Sequence, residues 1–376
     1  MKFRVERDEI VEATAWAARS LASRPAAPIL AGILLKVDER LTLSGYDYEV
    51  STRAEVDVEV IEPGTALVSG RLLAEIMRSM PPGVIELVGD ATKVMVEGSG
   101  TRFTLQTLPV EDYPALPVVP GLAGTVAGDA FSAAVAHVSL AASRDESVPI
   151  LTGLHLEAKG DVLTLACTDR YRIAMRELKW SPVDPDVSLS AVVPAKSIAQ
   201  TAKSMPSGST ISLSLSGNGE SGGAETIGFE FQGRRATSRL IGAEFINYRQ
   251  RLPREFVTRA AVRTAPFMDA IKRVSLVANR NSPVRLSFQG GEVVLEAATG
   301  DEAQAMASMD AHIDGEDITI AFNPQFLLDA LSAVETDMAV LNCQAPLKSA
   351  VLTGRTAEGE DVADYQCVIM PVRMSY

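Results

Sequence analysis

The sequence predicts an α+β chain built from one unit of about 125 residues repeated three times. Three observations predict it. The stretch VSGRLLAEIMRSMPPGVIELV at 68–88 returns at 193–215 as VPAKSIAQTAKSMPSGSTISLSL, and in diverged form at 322–343 as FNPQFLLDALSAVETDMAVLNC. An alternating strand, a polar turn and a second alternating strand recur at 32–43, 153–165 and 283–295. An apolar stripe at helical spacing precedes each of these hairpins.

Each unit therefore opens with a helix. Its stripe is Ile10, Ala13, Ala17 and Leu21 in the first copy, and Phe131, Ala134, Val135 and Val138 in the second. In the third it is Phe267, Ala270, Ile271 and Val274. A hairpin with one buried face follows. A mid-unit helix comes next. Arg71 matches Lys196, Arg78 matches Lys203, and Ser-Met-Pro at 79–81 matches 204–206, all at an offset of 125. Proline cannot continue a helix, so Met80-Pro81 and Met205-Pro206 predict its end, with Gly83 and Gly208 free to turn into the next strand. Pro/Gly-rich LPVVPGLAG (116–124) and RLPREF (251–256) predict boundaries, dividing the chain into 1–121, 122–253 and 254–376. Three such units on short linkers form a rigid arc, which a second copy can close into a ring.

Composition excludes several classes. Hydrophobic residues are 47% and charged residues 22%, so core material is ample. No apolar run reaches membrane-spanning length. The start MKFRVERDEI is charged from its second residue and does not predict a signal peptide. Cys167, Cys343 and Cys367 lie far apart, which fits a reducing cytoplasm and argues against disulfides or a zinc ribbon. His137, His155 and His312 are equally scattered, so no metal or other cofactor is expected. The net charge of −13 argues against nucleic acid unless the cations converge on one surface.

No catalytic constellation stands out. GNGESG at 217–222 matches GxGxxG formally, but no helix follows, so it reads as a hairpin loop. No Walker loop, Gly-x-Ser-x-Gly elbow or His-Glu-x-x-His occurs. Asp47 and Asp169 sit in equivalent turns after strands (GYDYEV, CTDRYR), where aspartate more often caps backbone N–H groups than catalyses. A binding protein, not an enzyme, is expected. The basic residues say more. Arg71 and Arg78, like Lys196 and Lys203, are seven apart and share one helix face. Arg24 follows the first leading helix in SRPAAPIL, and Arg144 is its counterpart in ASRDESVPIL. Lys272, Arg273 and Arg280 surround the third leading helix. Recurrence in register suggests one cationic surface that contacts phosphates without reading sequence. The chain's last ten residues, CVIMPVRMSY, are mostly apolar and predict part of a hydrophobic docking pocket.

MKFRVER, RPAAPIL, TDRYRIA (168–174), AEFINYRQRLP (243–253) and VIMPVRM (368–374) stand in the order and spacing of one family. Over its full length the chain resembles the bacterial DNA polymerase III beta subunits, the sliding clamps. The resemblance implies three DNA-clamp domains per chain, with helices lining a ring and antiparallel sheets outside, in a head-to-tail homodimer around double-stranded DNA. It implies no catalysis, opening by an ATP-driven clamp loader, and docking of the polymerase III catalytic subunit, other polymerases and repair proteins through short peptides. By position, Arg24, Arg71, Arg144 and Lys196 match or neighbour DNA-contacting residues. The peptide pocket would use Leu151, Thr168, Arg170, Tyr171, Arg172, Ile173, Ile246, Asn323 and Phe326. Val368, Ile369, Met370, Pro371, Val372, Arg373 and Met374 would close it. The dimer seam would set the strand carrying Arg102, Phe103 and Leu105 against Leu276, Val277 and the residues up to Asn279. The chain departs from the family pattern in three places. Arg170-Tyr171 stands where many relatives have Gly-His. Pro149-Ile150 replaces aromatic residues that touch DNA in some relatives. Ser375-Tyr376 extends past the usual end.

Overall fold

The computed structural model describes residues 1–215, 226–278, 282–299 and 302–373. GNGESG, Asn279, Arg280, Met374, Ser375 and Tyr376 lie outside the described residues. Among the described residues run six α-helices: α1 Arg7–Ala17, α2 Gly70–Ser79, α3 Gly128–Ser139, α4 Ala195–Ala202, α5 Thr264–Val274 and α6 Pro324–Ser332. The odd-numbered three are the leading helices and the even-numbered three the mid-unit helices. All three expected hairpins form, pairing Gly32–Val37 with Leu41–Tyr46, Gly153–Lys159 with Val162–Thr168, and Val284–Gln289 with Glu292–Thr299. The predicted stripes are buried, with Ile10, Phe131 and Phe267 all fully inside.

Two helix ends differ from expectation. Leu21 is buried but outside α1, because the Ser20 and Thr52 hydroxyls both donate to the Ala17 carbonyl and the chain tightens into a 3₁₀ turn. In the second copy α4 stops at Ala202, short of Met205-Pro206; there the Ser132 hydroxyl donates to the Ala202 carbonyl at 3.0 Å. In the first copy α2 does run to Ser79, just before Met80-Pro81. Gly83 and Gly208 both take positive φ, +116° and +71°, as the turns after these helices require.

The described structure forms two compact units that do not follow the three repeats. The first comprises Met1–Asp129, Ser181–Pro185 and Ser204–Leu240. It holds one 14-stranded antiparallel sheet. Near its middle, Arg234–Arg239 of the second repeat pairs with Val50–Val56 of the first, Thr237 opposite Ser51. Trp16 of α1 covers this seam. Its Nε1 donates to the Arg53 and Arg235 carbonyls at 3.0 and 3.3 Å, and its ring meets Phe231 edge-on at 5.3 Å.

The second unit comprises Ala130–Trp180, Asp186–Lys203 and Ile241–Tyr376. Its main sheet has nine strands, and in it Arg172–Lys179 of the second repeat pairs with Asp361–Ile369 of the third. A smaller four-stranded sheet ends on the edge strand Ala303–Asp310. The middle repeat thus places five strands in the sheet it shares with the first repeat and four in the sheet it shares with the third. An unpaired edge leaves backbone N–H and C=O groups without partners, so this sharing is favourable. It explains why compactness divides the chain differently from repetition.

Candidate functional site

The turn at 168–172 organises the first candidate site. Strand Val162–Thr168 ends there and strand Arg172–Lys179 begins. Asp169 Oδ1 accepts the N–H groups of Tyr171 and Arg172 at 3.0 and 3.1 Å. Thr168 Oγ1 donates to the Arg172 carbonyl at 2.7 Å. Between them Arg170 takes a φ of +82°. The first copy repeats this geometry. Asp47 Oδ1 accepts from Glu49 and Val50 at 3.0 and 2.7 Å, and Tyr48 has a φ of +75°. Both aspartates therefore cap backbone, as their sequence context suggests.

Arg172 then departs from the first copy's pattern. Its side chain is only 9% exposed and lies between two carboxylates, Asp169 (2.9 Å) and Asp329 of α6 (2.7 Å). Its remaining nitrogen donates to the Leu140 carbonyl. Burial disfavours its charge, yet the hydrogen bonds and charges of Asp329 and Asp169 hold its pKa above the ordinary arginine value. The guanidinium lies 4.4 Å over the Phe326 ring, and Tyr171 stacks on Phe326 at 6.4 Å. Phe326 is fixed by its helix. Asn323 Oδ1 caps α6 by accepting the Gln325 and Phe326 N–H groups at 2.9 and 3.3 Å.

An apolar cluster adjoins this stack. Ile173 and Val368, opposite each other in the sheet, pack with Ala166, Met175, Val192, Phe245, Tyr248 and Val351. Ile246 and Ile150 lie partly buried against it. Leu151 is buried in the 3₁₀ turn Pro149–Thr152. The strand then leaves the cluster. Met370 N–H donates to the Tyr171 carbonyl at 2.9 Å and Val372 N–H to the Ala321 carbonyl at 2.8 Å. This places Met370, half exposed, beside the Tyr171 turn, with Pro371 and Val372 partly buried and Arg373 exposed. Ile369 alternates with Val368 along one strand, so it lies on the face of its register partner Arg172, opposite the cluster, and is 2% exposed. Sequence reasoning missed Asp329, Leu140 and Ala321. Asp329 had a signal: it lies three residues after Phe326, hence on the same helix face.

The predicted cations are a second set of candidate residues, distributed over both units. Arg24, Arg71, Arg78, Arg144, Lys196, Lys203, Lys272 and Arg273 are all exposed. Arg71 Nη2 donates to the Ala22 carbonyl at 3.0 Å, which draws the turn carrying Arg24 to α2. Lys203 lies just past the end of α4. Among the described residues, Arg24, Arg71, Arg78, Arg144, Lys196 and Lys203 have no carboxylate within salt-bridge distance. The arginines on strands differ. Arg4 pairs with Glu86, Arg53 with Glu55, Arg102 with Glu97, Arg235 with Glu230, and Arg259 and Arg355 both with Asp361. Among the described residues every strand arginine except Arg263 is paired with a carboxylate, whereas the cations of the mid-unit helices and of the turn at Arg24 are not.

Of the expected seam residues, those of the first repeat lie at an open edge and those of the third do not. Thr101–Leu108 pairs with Lys93–Gly98 along one side, but on the other only Leu108 and Thr107 meet the strand Gly64–Ser69. Arg102, Phe103 and Leu105 therefore sit on a largely free edge. Leu276 and Val277 lie in the 3₁₀ turn Ser275–Val277, which offers no strand edge. One edge strand of the third repeat is Ala303–Asp310. Leu276 is 85% exposed and Met306, on the edge strand, 71%.

Among the described residues no helix is long and apolar enough to cross a membrane, and no group of three or more His, Cys, Asp or Glu side chains could hold a metal ion. Comparison with known proteins accounts for the whole chain. Residues 1–117, 125–247 and 249–373 match the N-terminal, central and C-terminal domain models of the DNA polymerase III beta subunit. The chain is 52% identical to the beta sliding clamp of Streptomyces coelicolor, covering 100% of both. It is 41% identical to the beta sliding clamp homolog GriR of Streptomyces muensis, covering 99% of both. Among solved structures, the DNA polymerase III subunit beta of Pseudomonas aeruginosa superposes with a TM-score of 0.91 at 26% identity, covering 100% of both chains. Repeats, sheet architecture and sequence agree along the entire length: this chain belongs to the DNA polymerase III beta subunit family, the bacterial sliding clamps.

Proposed function

We infer that this chain is a replication processivity factor. Two copies close head to tail around double-stranded DNA, and the ring tethers the polymerase III catalytic subunit and other DNA-processing proteins. The observation that carries this reading is the split in charge. The cations at Arg24, Arg71, Arg78, Lys196 and Lys203 lack acidic partners among the described residues, while all strand arginines there but Arg263 are paired and the whole chain carries −13. A topological tether needs only weak, salt-sensitive phosphate contacts that permit sliding. Acidic surfaces elsewhere discourage binding outside the ring.

The reading assigns domains at 1–121, 122–253 and 254–376, no catalytic step, and a cytoplasmic location. Ring closure joins the free edge around Arg102–Leu105 to the edge strand Ala303–Asp310, with Leu276, Val277 and Met306 supplying apolar contact. A clamp loader opens this joint. Partner peptides with apolar anchors dock on the Ile173–Val368–Ile246 cluster and the Tyr171–Phe326 stack.

Sedimentation tests the ring: a dimer near twice 40 kDa is expected, and a strict monomer at micromolar concentration would contradict it. Reversing charge at Arg24, Arg71 and Lys196 together should weaken retention on nicked circular DNA while leaving the dimer intact. Unchanged retention would remove those residues from the DNA-facing surface. Deleting 370–376 should abolish binding of a polymerase C-terminal peptide, because it removes Met370, Pro371 and Val372 from beside the turn.

A further inference from the structure

The peptide-docking reading leaves Arg170 unexplained. Every other ionic side chain of its turn is engaged. Asp169 and Asp329 are both taken up by Arg172. Arg170 is exposed, and among the described residues no carboxylate reaches it within salt-bridge distance. The nearest electrostatic neighbour is Asp145. The Ser147 hydrogen bonds and then the charge of Arg170 hold that carboxyl below its ordinary value, and its oxygen already accepts the Ser147 N–H at 3.0 Å. Arg170 also occupies a position that disfavours it. A φ of +82° is left-handed backbone, where glycine sits without steric cost and a long side chain does not. The backbone therefore gives no reason for arginine, and the side chain must supply one.

Its surroundings suggest what it meets. Tyr171, the next residue, is 60% exposed and stacks on Phe326, and its carbonyl accepts the N–H of half-exposed Met370. Arg170 thus stands at the rim where an anchored peptide enters or leaves the apolar cluster. Arg373, three residues past Met370, is a second exposed cation on the segment that meets this rim. A peptide whose apolar anchors are flanked by a carboxylate places that carboxylate against a guanidinium that is not yet paired.

Resting on the docking reading above, we propose that Arg170 makes this rim selective for partner segments carrying an acidic residue beside their apolar anchors. The selectivity is modest, since an exposed ion pair contributes about two- to fivefold in affinity and is screened by salt.

The test uses the full-length protein and two peptide probes with the same Leu and Phe anchors, one with Asp and the other with Asn at the polar positions flanking them. Isothermal titration at low salt should show the Asp probe binding the wild type about two- to fivefold tighter. Arg170→Gly, which suits the backbone, should lose the Asp preference, the ratio of the two probe affinities falling to about one. Arg170→Glu should reverse the preference, and Arg170→Lys should keep part of it. Equal affinities of the two probes for the wild type, or an Asp preference that survives in Arg170→Gly, would overturn the assignment while leaving the docking site intact. Failure of both probes to bind the wild type would instead overturn the docking site, and this proposal with it.

Discussion

The turns at 46–50 and 168–172 share one backbone and serve different ends. Each places an aspartate whose Oδ1 caps two N–H groups, followed by a residue at positive φ, Tyr48 or Arg170. The next two positions separate them. The first turn continues with Glu49 and Val50, and the Tyr48 ring meets Tyr46 edge-on at 5.6 Å. The second continues with Tyr171 and Arg172, which reach Phe326, Asp329 and Leu140. Repetition supplied a reliable way to end a strand. Two substitutions on it produced an ionic and aromatic assembly with exposed apolar neighbours. The same division appears in how each unit is held at its shared strand. The first relies on Trp16 and the hydroxyl pair Ser51–Thr237 at 2.6 Å, the second on buried arginines.

The largest way to break this comparison is to remove the charge that distinguishes the second turn. Arg172→Ala leaves Asp169 and Asp329 largely buried and unpaired, and should cost about 3–5 kcal/mol in urea unfolding. Val50→Ala at the matching position should cost about 1 kcal/mol or less, since Val50 is only partly buried. Equal losses at the two sites would show that the ion pairs add nothing to the turn. A finer cut uses the aspartates. Asparagine retains the capping oxygen but not the charge. Asp47→Asn should change stability by less than about 0.5 kcal/mol, whereas Asp169→Asn, which weakens the hold on Arg172, should lose about 1–3 kcal/mol. Peptide affinity should fall with Asp169→Asn and not with Asp47→Asn.

How much of this was legible follows from where the information lies. Local pattern carried the hairpins, the leading helices and the equivalence of Asp47 and Asp169, because periodicity and turn chemistry act within about ten residues. Partners distant in the chain were not legible. Arg172 and Asp329 are 157 residues apart, and no repeat offset relates them. The family resemblance named Arg172 and Phe326, but only the structure shows that the guanidinium lies on the ring and joins two carboxylates. The resemblance also carried 368–374 over as one block; strand alternation divides that block, Val368 facing the Ile173 cluster and Ile369 the Arg172 side. At the expected seam, the resemblance set the Arg102–Leu105 strand against the third unit near Leu276, where the chain forms a 3₁₀ turn; an edge strand of that unit, Ala303–Asp310, carried no local signal of its exposure.

Acid should separate the two units, because His137, His155 and His312 all belong to the second. His137 accepts a hydrogen bond at Nδ1 from Arg176 at 2.8 Å, and Arg176 is also paired with Glu335 and Asp364. Burial first, and then the Arg176 charge, push the His137 pKa below the ordinary 6.5. Burial does the same to His155, whose ring stacks on Phe245 at 4.8 Å. Both rings bind a proton less readily folded than unfolded. Stability is therefore flat above about pH 6.5 and falls as the pH drops below it, where the unfolded chain takes up more protons. Hydrogen exchange at pH 7.5 and 5.5 should show opening free energies falling in Ala130–Trp180 and Ile241–Arg373 more than in Met1–Asp129. His137→Gln should reduce that difference. A pH response that is equal in both units would mean the imidazoles are not its source.

The smallest effect tests whether the left-handed residues are kept for the backbone or for the side chain. Tyr48→Gly and Arg170→Gly both relieve a positive φ, worth about 1–2 kcal/mol, and both give the unfolded chain more freedom, at roughly 0.5–1 kcal/mol. Each should therefore leave stability within about 1 kcal/mol of the parent, with stabilisation the more frequent sign. Tyr48→Gly also removes a ring that meets Tyr46 edge-on, so its gain should be the lesser of the two. If Arg170→Gly proves stabilising while discrimination between acidic and neutral peptides disappears, the second turn holds a residue that costs stability and serves recognition. If it is strongly destabilising, Arg170 has a structural contact and the difference between the two turns lies in packing.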